Sequence, residues 1–196
     1  MARLDLISSK LAALGGDPGW ETDGSPRAAV AAILRELPGS DGADLFFIRR
    51  AEHPNDPWSG HVAFPGGRRD PEDPSLLATA IRETREEVGI DLSPAHLLGR
   101  LPDLPAFSRA RGTNLVVTPF VFALRSDPVI VPNRVEVATT LWVPLATLAN
   151  GVGKTSFELD YAGQRYVLPC IHLEPGQHRL WGMTYRMLET LLDALR

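Results

Sequence analysis

Apolar residues recur along the chain in two periods, and the switches between them mark its elements. Leu4, Ile7, Leu11 and Leu14 fall at helical spacing, and Gly15-Gly16 supply a stop. Asp17–Pro26, rich in Gly, Pro and Asp, reads as a loop. Ala28–Leu34 and Asp44–Arg49 read as strands separated by the turn-forming run Pro38-Gly39-Ser40-Asp41-Gly42. A second loop, Glu52–Gly60, carries Pro54, Asn55, Asp56 and Pro57. It leads through a short strand-like stretch containing His61, read as a structural residue, into Pro65-Gly66-Gly67. The strongest helical pattern follows. Asp73 is placed as its N-cap, Pro74 as its first residue and Gly89 as its end, with Leu77, Ala80, Ile81, Thr84 and Val88 forming a mostly apolar face. Strands are predicted at Leu97–Leu101, Leu115–Leu124 and Val137–Val143, and a hairpin from Phe157–Leu159 and Arg165–Leu168 around Ala162-Gly163. Met183, Met187, Leu188, Leu191, Leu192 and Leu195 close the chain as an amphipathic helix. Helices and strands mix without strict alternation, which predicts an α/β fold with a mixed β-sheet between helices.

Bulk composition narrows the chemistry only a little. The 196 residues suit one domain, 44% are hydrophobic and 22% charged, and the formal net charge is −4. That balance argues against nucleic acid as a partner, though not against a small anionic substrate. Cys170 is the single cysteine, so neither an internal disulfide nor a cysteine-built zinc site is available. Asp5 interrupts the apolar run a signal peptide needs, and no stretch has the length of a membrane span, so a cytoplasmic location with no membrane contact is expected. The G-x-S-x-G pattern of serine hydrolases is absent.

The residues that change the picture are Arg82-Glu83-Thr84-Arg85-Glu86-Glu87. Glu83, Glu86 and Glu87 are three and four apart, so they project from neighbouring positions of one helical surface. At about 100° per residue this surface borders the apolar face. Clustered like charges oppose helix formation. A divalent cation reverses that repulsion, and magnesium, which takes oxygen ligands from carboxylates, water and phosphates, suits the donors.

This run does not stand alone. Gly67-x5-Asp73-x8-Arg82-Glu83-Thr84-x-Glu86-Glu87-x-Gly89-Ile90 resembles the Nudix box, G-x5-E-x7-R-E-U-x-E-E-x-G-U with U aliphatic, over 24 residues. It departs in having Asp73 with one extra residue before Arg82, and Thr84 at an aliphatic position. The resemblance implies a Nudix-like α/β/α sandwich and a hydrolase that cuts a diphosphate linkage in a nucleotide derivative with Mg2+, or Mn2+ in its place. Glu83 and Glu87 would be the main metal ligands, with Glu86 a further ligand or the base that activates water. Gly67 would offer a backbone carbonyl to the metal, and Arg82 would orient a glutamate. Glu136, ahead of Trp142-Val143-Pro144-Leu145, is similar in placement to an outlying glutamate of many Nudix enzymes and would be a further ligand or the general base.

A finer resemblance lies in Leu45–Ala51, in Gly60-x3-Phe64-Pro65-Gly66-Gly67, in Asp70-x2-Asp73 and Thr79-Ala80, and in Leu180-Trp181-Gly182-Met183-Thr184. These look like the coenzyme A pyrophosphatase branch, which yields adenosine 3′,5′-bisphosphate and 4′-phosphopantetheine. Asp56 stands where that branch usually carries a basic residue, in a loop about two residues longer than usual. ADP-ribose, dinucleoside polyphosphates and other nucleoside diphosphate derivatives are the alternative substrates, and a nucleotide-binding module without catalysis is an alternative of another class. Arg49, Arg50, Arg109 and Arg111 are candidates for phosphate contact, since guanidinium suits bidentate recognition. Trp58 either stacks on adenine or packs locally. The implied partner is a small-molecule nucleotide, and a homodimer is left open.

Overall fold

In the computed structural model, residues 4–13, 26–40, 42–54, 58–106, 115–161, 163–173 and 178–196 are described. The fold grows from an alanine-rich strand, β1 (Arg27–Arg35). It pairs in parallel with a later strand, Val116–Leu124, in unbroken register from Arg27↔Val116 to Arg35↔Leu124. Its other edge is shared. The far end of β1 meets β2 (Asp44–Arg50) antiparallel at Leu34↔Leu45 and Arg35↔Asp44. The near end meets β4 (Gly66–Arg68) from Ala28↔Arg68 to Val30↔Gly66. So β1 and β2 touch at one end and splay apart at the other. The gap is filled by β3 (Val62–Ala63), paired to β2 at Ile48↔Ala63, and by β4. The Ala31 N–H donates to Pro65 O at 2.8 Å, sealing the turn between β3 and β4 against β1.

The sheet is extended by β5 (Leu97–Arg100), β6 (Leu104–Pro105) and β7, the Val116–Leu124 strand, and on the outer edge of β2 by β8 (Val137–Pro144). Alternation along each strand divides the core in two. Ala29, Ala31, Ile33, Phe46, Ile48 and Phe122 bury against helix α2 (Leu76–Val88). Ala32, Leu34, Leu45, Phe47 and Val121 bury against α1 (Leu4–Ala13) and the C-terminal helix Gly182–Ala194. A side chain as large as Phe122, fully buried, contributes about 1.5–3 kcal/mol. The result is the mixed sheet between helices that the sequence predicts.

Several elements differ in detail. A short helix, α3 (Leu145–Ala149), follows β8, and a separate three-stranded antiparallel sheet combines β9 (Lys154–Tyr161), β10 (Gln164–Leu173) and β11 (His178–Trp181). The predicted hairpin is therefore longer than its apolar core and has a third strand. The C-terminal helix, α4, packs Met187, Leu188, Leu191 and Leu192 inward as its period implies. His61 does a structural job, its ring packed on Trp181 with centroids 4.7 Å apart, which ties β11 to the strand layer. Among the described residues no helix is long and apolar enough to cross a membrane. The predicted loop Asp17–Pro26 lies, but for Pro26, outside the described residues, as do Leu14 and the Gly15-Gly16 stop.

Candidate active site

Helix α2 starts later than expected. Its N-cap is Ser75, whose Oγ accepts from the Ala78 N–H at 3.1 Å, and not Asp73. The Asp73-Pro74-Ser75 run holds two residues able to cap, and the second does so because the first is engaged elsewhere. Asp73 is 7% exposed, and its carboxylate receives both Nε (2.9 Å) and Nη2 (2.8 Å) of Arg82, the Thr79 hydroxyl and the Asp70 N–H. The bidentate guanidinium beside it holds its carboxyl well below the usual carboxylate range, against the opposing effect of burial. Gly89 ends the helix as predicted, in the left-handed conformation with φ 71.

The buried face of α2 is also shifted. Leu76, Thr79, Ala80, Thr84, Glu87 and Val88 are buried, whereas Leu77 and Ile81 are only half-buried. Thr84 is tolerated there because its hydroxyl donates to Ala80 O at 2.7 Å, leaving no unsatisfied polar group. The unexpected member is Glu87, 3% exposed. Its Oε2 accepts from the Gly66 N–H at 2.8 Å, and Arg50 approaches Oε1 at 3.9 Å. Burial is the main cause pushing its pKa up to about 7, against the Gly66 hydrogen bond and Arg50, with the charges of Glu83 and Glu136 adding to the rise.

Glu83 sits one turn back, beside Gly67. A Cβ built on Gly67 would lie 2.5 Å from the Glu83 carboxyl carbon, so only glycine admits this approach. Its carboxyl is raised by burial, with Arg82 working against the shift and Glu86 and Glu136 adding to it. Arg82 Nη1 donates to Glu83 at 2.9 Å and to Glu86 at 3.0 Å, while its Nη2 also reaches Arg68 O. Arg82 therefore ties the β4 backbone and Asp73 to two of the three helix glutamates.

The structure thus gathers Gly67, Arg82, Glu83, Glu86, Glu87, Arg50 and the field of Glu136 at the mouth of the β1–β2 gap. It does not gather every candidate. Arg49 turns to Glu52, at 2.8 Å, and not to the glutamates. Trp58 lies in the turn before β3, 37% exposed. Arg109, Arg111 and Asp56 lie outside the described residues. Sequence predicts Asp73, the anchor of Arg82, only as a cap. Its place at the first acidic position of the box was the signal for more.

The donors suit a hard divalent cation. Glu87 is a carboxylate held out of water at a cost and Glu83 a half-buried one, beside further carboxylates, with Arg82 and Arg50 as the guanidiniums facing them. Among the described residues no three acidic, histidine or cysteine side chains converge on one point, since Glu83 and Glu86 lean on Arg82 and Glu87 on Gly66.

A family model described as the NUDIX domain matches residues 25–163, which spans β1, the β3–β4 turn, α2 and Glu136. The chain belongs to the Nudix family. It is 35% identical over 173 residues to the mitochondrial coenzyme A diphosphatase NUDT8 of Homo sapiens, covering 86% of this chain and 70% of that protein. It is 39% identical over 175 residues to the uncharacterized Nudix hydrolase NudL of Yersinia pestis (strain Pestoides F), covering 84% and 79%. A MutT NUDIX hydrolase from Burkholderia pseudomallei shares the fold with a TM-score of 0.53 at 21% identity, over 86% of this chain and 98% of that one. A MutT/nudix family protein from Enterococcus faecalis does so with a TM-score of 0.56 at 15% identity, over 99% and 73%. The chain is accordingly a Nudix pyrophosphohydrolase of a nucleoside diphosphate derivative, in a family that generally uses divalent metal ions.

The raised Glu87 carboxyl makes a prediction for this Nudix protein without metal. Its folded pKa of about 7 exceeds the unfolded value of about 4.3, so between them the folded state holds a proton that the unfolded chain releases. Stability of the metal-free protein should therefore fall as pH rises from 5 to 8, by on the order of 3 kcal/mol. Asp73, shifted the other way, loses its contribution only as pH falls below about 4, outside that window. Urea unfolding in EDTA across this range should show the decline in wild type and a clearly smaller one in Glu87→Gln, where only the raised Glu83 carboxyl still contributes. An equal decline in both proteins would assign it to another group.

Proposed function

We propose that this Nudix hydrolase cleaves the diphosphate of coenzyme A into adenosine 3′,5′-bisphosphate and 4′-phosphopantetheine, with Mg2+ held by Glu83 and Glu87. The observation that carries the hydrolytic part is the buried Glu87 and half-buried Glu83 carboxylates set against the Gly66-Gly67 backbone. Such a pair is costly unless a cation joins it. The similarity to a human coenzyme A diphosphatase supports the choice of substrate. When bound, the ion neutralises phosphate oxygens and makes water a better nucleophile.

The chain's own groups divide the remaining work. Asp73 holds Arg82, and Arg82 holds Glu83 and Glu86, so the carboxylates are oriented before substrate arrives. Arg50, on the rim beside Glu87, is placed to meet a phosphate. Glu136 is exposed, faces other carboxylates and makes no ion pair among the described residues, which suits it to take the proton of the attacking water. The water oxygen bonds to one phosphorus, the bridging P–O bond breaks, and the bridging oxygen leaves with the other phosphate. Glu86, already paired to Arg82, is then a further ligand.

A second reading has one observation in its favour. Asp56, in place of the branch's usual basic residue, suits a substrate with less negative charge than coenzyme A, such as ADP-ribose. A panel of coenzyme A, dephospho-coenzyme A, ADP-ribose and diadenosine polyphosphates, with Mg2+ and Mn2+ and products identified by mass spectrometry, decides between them. Coenzyme A should show the highest kcat/KM and yield the two named products. Faster turnover of ADP-ribose would transfer the assignment to the second reading, and no metal-dependent turnover of any compound would remove both.

A further inference from the structure

The loop between β7 and β8 does more than connect two strands. Its Val131 N–H donates to Val88 O and its Asn133 N–H to Glu87 O, each at 2.8 Å, satisfying two of the last carbonyls of α2 that the helix itself leaves open. Gly89 makes this approach feasible. A Cβ there would lie 3.0 Å from the Val131 Cβ, and the residue already has φ 71. Asn133 then turns the chain back. Its carbonyl accepts from the Glu136 N–H at 3.0 Å and the Val137 N–H at 2.8 Å, while its side-chain Oδ1 accepts from the Val135 N–H at 3.2 Å. On the far side the Glu136 carbonyl accepts from the Ala51 N–H at 2.7 Å, at the end of β2. A single residue thus bonds through its N–H to the backbone of Glu87 and through its carbonyl to the backbone of Glu136.

We propose that Asn133 is a positioning residue for hydrolysis, fixing the carboxylate of Glu136 at a set span from that of Glu87. The inference rests on the catalytic reading of Glu136 given above. Asparagine suits the place because its side-chain oxygen closes a local turn on Val135, which keeps the peptide of Glu136 aimed at its own carbonyl. Alanine offers no such acceptor, whereas aspartate retains it. Glu136 is exposed and has no ion-pair partner among the described residues, so its backbone is what restrains it. Displacement of a reacting group by an ångström is enough to slow a reaction about 10²-fold.

The test is a cycle of Asn133→Ala, Glu136→Gln and the double variant, with Asn133→Asp beside them. Each is assayed at saturating Mg2+ on the best substrate of the panel. Asn133→Ala should lower kcat about tenfold or more with KM within about twofold. Asn133→Asp should recover most of kcat. In the Glu136→Gln background, Asn133→Ala should lower kcat little further. Full activity of Asn133→Ala, or an undiminished loss in the double variant, would overturn the inference while leaving Glu136 in its role. An unimpaired Glu136→Gln would overturn both. Should Asn133→Ala unfold below the assay temperature, Asn133→Leu, which fills the same volume and has no acceptor, replaces it under the same criteria.

Discussion

Glu87→Gln and Glu83→Gln should each lower turnover by about 10²–10³, corresponding to roughly 3–4 kcal/mol of barrier, without loss of the fold. Glutamine preserves the shape of the side chain and, at position 87, an oxygen for the Gly66 N–H. It removes the charge that burial penalises. The metal-free Glu87→Gln protein should therefore melt above the wild type at pH 8, even as its activity falls. Opposite movements of stability and activity identify a residue retained for function at a structural cost. Near-normal activity of both variants at subsaturating Mg2+ would sink the assignment of these carboxylates to the metal.

Adjacent glycines should separate in the same assays. A Cβ on Gly66 would collide with the carbonyl oxygen of Ala29 and lie 2.6 Å from the Val30 Cα, both backbone atoms, as well as 2.8 Å from the Val30 Cγ1, at a residue with φ 150. Neither strand can yield without parting β4 from β1, so Gly66→Ala should cost at least roughly 3 kcal/mol. In a chain of this size that lowers Tm by about 10 °C. The atoms nearest to a Cβ on Gly67 all belong to the Glu83 carboxylate, the end of a flexible side chain that can swing away. Gly67→Ala should accordingly keep most of its stability and lose about a hundredfold in kcat. Calorimetry beside steady-state kinetics checks the pair. A Gly67→Ala enzyme as active as wild type would detach the Gly67–Glu83 contact from the reaction.

What the sequence reveals and what it hides follow from how each feature is encoded. Helix α2 is legible because its signal is carried by side chains at fixed spacing, from Gly67 to Gly89. Its cap is misplaced because the use of Asp73 depends on Arg82, nine residues on, a contact that local rules do not see. The strands flanking Pro65 are two and three residues long, too short for a period of two to show. They exist because β1 and β2 diverge and leave backbone groups to be paired. Arg49 and Arg50 look equivalent in sequence, but one pairs with Glu52 and the other approaches Glu87. The link from Glu87 to Glu136 through Asn133 is invisible for a different reason, since all but one of its hydrogen bonds run between backbone atoms, which every residue type supplies.

The splay of β1 from β2 bears on how such an enzyme can change over evolutionary time. By bringing the Gly66-Gly67 peptide under α2, the gap makes part of the proposed site out of main chain. A backbone N–H is present whatever side chain drifts in beside it, and only proline removes it. The group that accepts from it, Glu87, and the glycine that admits Glu83 are few enough for selection to hold. Side chains outside that backbone framework are freer to gain and lose charge. A lineage built on this plan can retune which diphosphate it accepts while the machinery that cuts it is inherited intact.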